Sequence, residues 1–182
     1  MKFIASPIAD VIIIEPAVFS DHRGFFLETW QRIKFKEGGI DVDFVQDNHS
    51  KSSRGTLRGL HYQIQQPQGK LIRVISGKIF DVAVDLRKSS PTFGQWTGEY
   101  LDNDNKKMFW IPPGFAHGYY VVSETAEVCY KCTNYYAPEH ERTLLWNDPE
   151  LAILWPFVGD DQPLLSDKDK QGTLLKDADV FE

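Results

Sequence analysis

The chain has 182 residues, 42% of them apolar, 25% charged and 13% aromatic, with a formal net charge of −6. That length and balance fit one globular domain over residues 1–182 with a sizeable core, and the acidic charge argues against a nucleic-acid partner, whose binding rests on phosphate neutralisation. The first apolar run, Val11 to Ile14, is stopped by Glu15-Pro16 and is too short for a membrane span or a signal peptide, so the expectation is a cytoplasmic protein with no membrane partner.

Taken in order, Ile8 to Ile14 reads as a first strand. Asp21 to Gly24 is turn chemistry, with Arg23 an exposed cation on the turn, and Phe25 to Trp30 is strand-like. A short helical turn is expected over Gln31 to Glu37, ended by Gly38-Gly39. Val42 to Asn48 is a short strand with Gln46 and Asn48 on one face, and Lys51 to Gly55 is a polar loop. Leu71 to Ser76 and Ile79 to Leu86 read as a hairpin joined at Gly77-Lys78. In its second arm Phe80, Val82, Val84 and Leu86 share one face, and Ile79, Asp81, Ala83 and Asp85 the other. Those two carboxylates face either solvent or the polar interior of a barrel. Further strands are expected at Gln95 to Leu101, Lys107 to Ile111, Gly118 to Val122 and Glu127 to Tyr135, with Pro138 to Arg142 a charged loop. From Trp146 onward the texture is irregular, and short helical turns are expected there. Many short strands with turn signals between them and little helical periodicity argue for an all-β sandwich or barrel, a jelly roll being one arrangement.

The chemistry concentrates in Gly55-Thr56-Leu57-Arg58-Gly59-Leu60-His61-Tyr62-Gln63. Histidine exchanges a proton near neutral pH, and arginine grips phosphate or carboxylate with a planar fork of donors. As a regular strand, His61 and Gln63 share a face and Arg58 starts on the other. Arg58 can join His61 in one pocket only if the chain twists or bulges near Gly59. His117, in Gly114-Phe115-Ala116-His117-Gly118, has a similar setting, whereas His22, His49 and His140 sit among polar residues and read as surface or structural. Cys129 and Cys132 are the only cysteines; with no second pair, and facing opposite sides of an expected strand, they read as structural thiols rather than a zinc or redox site.

Gly59-Leu60-His61-Tyr62-Gln63 and Pro112-Pro113-Gly114-Phe115-Ala116-His117 resemble the two motifs of the cupin jelly roll. Gln63 stands where metal-binding cupins carry a second histidine, which argues against a metal centre. Phe19 to Glu28, Gln46 to Ser50, Gly55 to Gln63, Phe80 to Arg87, Ser90 to Trp96, Tyr130 to Thr133, Tyr135 to Glu141 and Leu165 to Asp169 together resemble one family, the dTDP-4-dehydrorhamnose 3,5-epimerases. The resemblance implies a cupin-type jelly roll with a few short helices, mainly C-terminal.

It also implies a dTDP-4-keto-6-deoxyhexose substrate, no metal or organic cofactor, and a homodimer with exchanged N-terminal strands. By the same resemblance His61 is the base, Asp169 its carboxylate partner, Tyr130 the acid on the other face and Lys70 the cation beside the enolate. Arg23 and Arg58 match a pyrophosphate clamp, Phe26, Glu28, Gln46, Asn48, Tyr136 and Lys168 match substrate contacts, and Asp81 and His117 match pocket residues, which turns Asp81 inward. Competing readings are a single-centre epimerase or 3,4-ketoisomerase in the same pocket, a non-catalytic sugar-binding cupin, and a metal-dependent oxygenase using His61 and His117.

Overall fold

A computed structural model describes residues 1–159 and 162–182. Two antiparallel sheets face each other in a jelly-roll arrangement. The six-stranded sheet has the order β1-β2-β10-β7-β12-β5, built from Lys2–Ala5, Ile12–Glu15, Met108–Ile111, Lys70–Ser76, Thr125–Cys132 and Gln46–Ser53. The five-stranded sheet has the order β13-β6-β11-β8-β9, from Glu141–Thr143, Leu57–Gln63, Phe115–Val121, Lys78–Asp85 and Trp96–Asp102. Among the described residues the hairpin β3–β4, Val18–Asp21 with Gly24–Leu27, forms a two-stranded sheet of its own.

Side-chain alternation along these strands produces three apolar layers. Between the sheets lie Ile72, Val74, Ile79, Ala83, Phe109 and Tyr119 with their neighbours. The outer face of the five-stranded sheet presents Leu57, Leu60, Tyr62, Phe80, Val82 and Val84, and the C-terminal segment covers it with Trp146, Leu151, Trp155 and Leu175. Each such side chain taken fully out of water contributes ~1.5–3 kcal/mol, so the irregular C-terminus is held by burial rather than by regular structure. The outer face of the six-stranded sheet buries Leu71, Met108 and Trp110 against α1, Arg32–Glu37, through Phe35. Gln31 caps α1 by accepting the Lys34 N–H at 2.7 Å, and Gly38 follows its end.

The strand-rich, two-sheet architecture agrees with the all-β fold class read from the sequence; four local expectations do not hold. Ile8 to Ile14 is not one strand: Ser6 to Val11 forms a turn, closed by Ser6 N–H to Val11 O at 3.0 Å, between β1 and β2. β5 starts at Gln46 and continues to Ser53, through the expected polar loop. Its alternation of half-buried Gln46, Asn48 and Ser50 with exposed Asp47, His49 and Lys51 is that of a polar strand with one face inward. The expected loop at Pro138 to Arg142 is a 3₁₀ turn, Pro138–His140, running into β13. Finally, β7 and β8 are not a hairpin, since they lie in different sheets. Gly77, at φ +81°, turns the chain from one sheet to the other, and a Cβ there would meet Thr125 O at 2.0 Å.

Candidate active site

Gly59 decides the geometry of β6. On β11, His117 pairs with His61 and Tyr119 with Arg58, so two steps on one strand match three on the other: a bulge. Gly59 has φ +119°, and a Cβ on it would meet Gly118 Cα at 2.5 Å. The bulge turns Leu57, Leu60 and Tyr62 outward into the core and brings Arg58 and His61 to the same cleft, as the sequence required. That cleft, about 320 Å³, is lined by Arg58, His61, Leu165, Ser166, Lys168 and Asp169. Arg58 is anchored by Nε–H donating to Ser52 Oγ at 3.0 Å.

Asp169 arrives from far along the chain on α2, Asp167–Lys170. Its Oδ1 lies 2.6 Å from His61 Nε2 and accepts the Gly59 N–H at 3.3 Å, while Oδ2 accepts the Ser166 hydroxyl at 2.6 Å. Burial works to raise the Asp169 pKa, but the bonds from His61, Ser166 and Gly59 outweigh it and hold the carboxyl at about 2. Asp169 is therefore a carboxylate at neutral pH, and it fixes the His61 tautomer with its proton on Nε2. Nδ1 carries the lone pair. It has no partner among the described residues, yet no fully buried side-chain nitrogen or oxygen there lacks one, so Nδ1 opens onto the cleft. Burial lowers the His61 pKa, and Lys168 and Lys70 add to this against the pull of Asp169.

The facing wall comes from β7, β12 and β5. Cys132 pairs with Lys70 and Gln46, and Tyr130 with Ile72 and Asn48. Apart from Ile72, the inward positions at this end of the two sheets are therefore polar, in contrast to the apolar end at Val74 and Val128. Burial pushes the Tyr130 hydroxyl up to about 12, leaving it protonated at neutral pH. Burial also lowers the Lys70 ammonium from its ordinary value, with nearby Cys132, Glu141 and Asp81 opposing. On β8 and β11, fully buried Asp81 meets His117 Nε2 at 3.0 and 3.1 Å. Burial raises the Asp81 pKa against His117 and Lys70. Asp81 and Asp85 both point inward, but Asp85 binds Arg87, Ser90 and Thr92 instead of joining the site.

At the mouth, Gln46 Oε1 accepts the Tyr136 N–H at 3.0 Å, and Gln46 Nε2 donates to Asn48 Oδ1 at 3.1 Å. Lys168 donates to Glu141 Oε1 at 2.8 Å and the Tyr136 hydroxyl to Oε2 at 3.1 Å. Glu141 thus ties α2 to the aromatic loop. Sequence reasoning missed it, because only the register of β13 against Gln63 brings it here. Gln63 braces the same region: its Nε2 donates to Gln66 O and Tyr135 O, and its Oε1 accepts the Ala137 N–H. Among the described residues no group of three or more His, Cys, Asp or Glu side chains could hold a metal ion. Cys129 and Cys132 are free thiols.

Three expected site residues are not brought together with these. Arg23 pairs with Asp21 at 2.6 Å, Glu28 with Lys34 at 2.7 Å, and Phe26 is 69% exposed, all on or beside the β3–β4 hairpin.

The model of the family described as dTDP-4-dehydrorhamnose 3,5-epimerase matches residues 5–177. The dTDP-4-dehydrorhamnose 3,5-epimerase of Pseudomonas aeruginosa is 60% identical over 182 residues, covering 100% of this chain and 99% of the relative. That of Shigella flexneri is 54% identical, with 100% and 99% covered. Among solved structures, the dTDP-6-deoxy-D-glucose-3,5-epimerase of Legionella pneumophila in complex with dTDP-4-keto-L-rhamnose is 52% identical, with a TM-score of 0.94 over 98% of this chain and 94% of that one. With the family's model matched over nearly its whole length and relatives this similar end to end, the chain belongs to the dTDP-4-dehydrorhamnose 3,5-epimerase family.

Proposed function

We propose that the chain converts dTDP-4-keto-6-deoxy-D-glucose to dTDP-4-keto-L-rhamnose by inverting C3 and C5, without a metal or organic cofactor, as a cytoplasmic step in making dTDP-L-rhamnose. The observation that carries this is the opposition of two proton-transfer groups on different sheets. The His61–Asp169 pair stands on the β6 side and Tyr130 on β12, with the Lys70 ammonium on the adjacent strand. Inverting a carbon beside a ketone needs a base on one face, an acid on the other and a cation for the oxyanion between them. His61 Nδ1 takes the proton, and the C–H electron pair moves onto the ketone oxygen, where the Lys70 ammonium stabilises the enolate, with His117 a further pocket residue. The Tyr130 hydroxyl, protonated at neutral pH, returns a proton to the opposite face. His61 and the tyrosinate then re-equilibrate with solvent. Arg58, Gln46, Asn48, Asp81, Tyr136 and Lys168 hold the nucleotide sugar.

The test is incubation with dTDP-4-keto-6-deoxyglucose in deuterated water, followed by NMR. Label at both C3 and C5 with inverted product is expected. Label at one carbon makes the chain a single-centre epimerase, and a moved ketone makes it a ketoisomerase.

The same reading makes the chain a homodimer that exchanges its N-terminal hairpin. The exposed Phe19, Phe25 and Phe26 support this, since such apolar side chains clustered on one hairpin mark an interface. Arg23, Phe26 and Glu28 would then serve the partner's pocket. Mixing Arg23→Ala with His61→Ala chains tests it. Each is inactive alone, and a mixed dimer regains one complete site; no regain on mixing means Arg23 does not act across the interface.

A further inference from the structure

We propose that Ser166 is a positioning residue that sets the basicity of His61 through Asp169. Ser166 is the N-cap of α2, and its Oγ accepts the Asp169 N–H at 3.2 Å. That bond alone would make it an ordinary cap, a task Thr, Asp or Asn also performs. Two further features set it apart. In a reciprocal capping box the third helical residue's side chain returns to the cap's own backbone N–H. Here that side chain is Asp169, and it goes to the site instead, with Oδ1 on His61 Nε2 and on the Gly59 N–H. The Ser166 hydroxyl then closes on Oδ2 at 2.6 Å, the length of a charge-assisted bond. One oxygen atom therefore caps the helix as acceptor and clamps the carboxylate as donor.

The clamp has two physical effects. It fixes the plane of the carboxylate, so that Oδ1 stays on Nε2. It also draws negative charge toward Oδ2, which weakens the pull of Asp169 on a proton at His61 and keeps the imidazole a neutral base at lower pH. The other titratable or charged groups facing His61 are Lys168 on α2, Lys70 on β7, Glu141 on β13, His117 across on β11 and Arg58 on its own strand. None of them bonds to the Ser166 hydroxyl, whose partners among the described residues are both on Asp169. In sequence the signal was available: Ser166-Asp167-Lys168-Asp169 is a serine cap with an acid three residues on.

The experiment uses Ser166→Ala, Ser166→Gly and Ser166→Thr in the full chain. The His61 ring is titrated by NMR without substrate, and the pH profile of deuterium wash-in is measured alongside. Loss of one charge-assisted bond raises the Asp169 pKa by about one pH unit, and part of this reaches His61. The Ala and Gly variants are expected to raise the His61 pKa by about half a pH unit, move the acid limb of kcat/KM up with it, and lower kcat/KM about tenfold. Thr restores all three. Glycine at the N-cap costs a helix little although it makes no capping bond, so a Gly variant that keeps the wild-type His61 titration overturns the proposal and leaves Ser166 a cap only; so does a downward move in either variant. The activity arm rests on the epimerase reading. If wild-type protein shows no wash-in, that reading fails, while the His61 titration still decides the role of Ser166.

Discussion

Replacing Asp169 with Asn keeps the side chain's shape and removes its charge. Asp169 is 2% exposed and held at about 2, so the wild-type carboxylate is fully ionised at neutral pH. Two donors, His61 Nε2–H and the Gly59 N–H, converge on Oδ1. They hold the amide oxygen of Asn in that place, which preserves the His61 tautomer. What is lost is then the charge. Across the ~4 Å between imidazolium and carboxylate, at an effective dielectric of ~20, the interaction is ~4 kcal/mol. The imidazolium is only partly formed in the transition state, so a fraction of this counts, and kcat is expected to fall ~10²–10³-fold. An amide flipped the other way would put the His61 proton on Nδ1 and cost ~10⁴-fold, the loss seen when the buried carboxylate of a serine-protease triad is changed this way. The assay is deuterium wash-in at C3 and C5 read by NMR, with thermal melting to show that the variant is folded. A folded variant that exchanges within fivefold of wild type would refute the assignment of Asp169 as the partner of the base.

Tyr130→Phe removes the acid but not the base, so solvent label is expected to enter with retained configuration while inverted product falls at least ~10²-fold; unchanged inversion removes Tyr130 from the acid role. Gln63→Ala strips three hydrogen bonds from a 4% exposed side chain and unties the Gln66 and Tyr135–Ala137 segments. It is expected to cost ~1–3 kcal/mol in denaturant unfolding and to raise KM more than it lowers kcat; a kcat loss with KM unchanged would show that the brace does not serve binding. Asp85 is fully buried, and although burial favours its neutral form, bonds from Arg87, Ser90 and Thr92 hold it at about 2. Its folded pKa lies below the ordinary value of 3.8, so its contribution, ~2 kcal/mol, is complete above pH ~4 and is lost as pH falls towards 2. Asp85→Asn is expected to flatten stability in that window, as measured by denaturant midpoints; an unchanged acid slope would contradict it.

The sequence shows the class of fold more clearly than its wiring. Period-two alternation marked β8 because both of its faces are apolar enough to register, with Phe80, Val82 and Val84 against the C-terminal cover and Ile79 and Ala83 between the sheets. The same alternation could not show that β7 and β8 part company at Gly77. A two-residue hairpin and a turn from one sheet to the other use the same residue types, and strand pairing is set by contacts distant in sequence. β5 failed for a related reason. Its inward face is Gln46, Asn48, Ser50 and Ser52, polar because it borders the site, so the hydrophobic signal for a strand was absent where function had replaced the core.

The site divides along the same line. The irregularity at Gly59 was legible, because Arg58 and His61 could share a cleft only if β6 twisted or bulged there, and the structure shows a bulge. Residues whose role lies in holding another residue were not legible in that way. Gln63 reads as a missing metal ligand until its amide is found bracing two loops, and Glu141 reads as loop charge until β13 pairs with β6. Ser166 is one polar residue in an irregular C-terminal stretch until the acid it faces is seen bonded to a histidine 108 positions away. Chemical groups announce themselves by residue type, whereas the groups that orient them are ordinary residues made special by placement. Arg23, Phe26 and Glu28 were named by the family resemblance rather than by residue type, and they lie on or beside a hairpin away from the His61 cleft; the surface they would complete belongs to the proposed dimer.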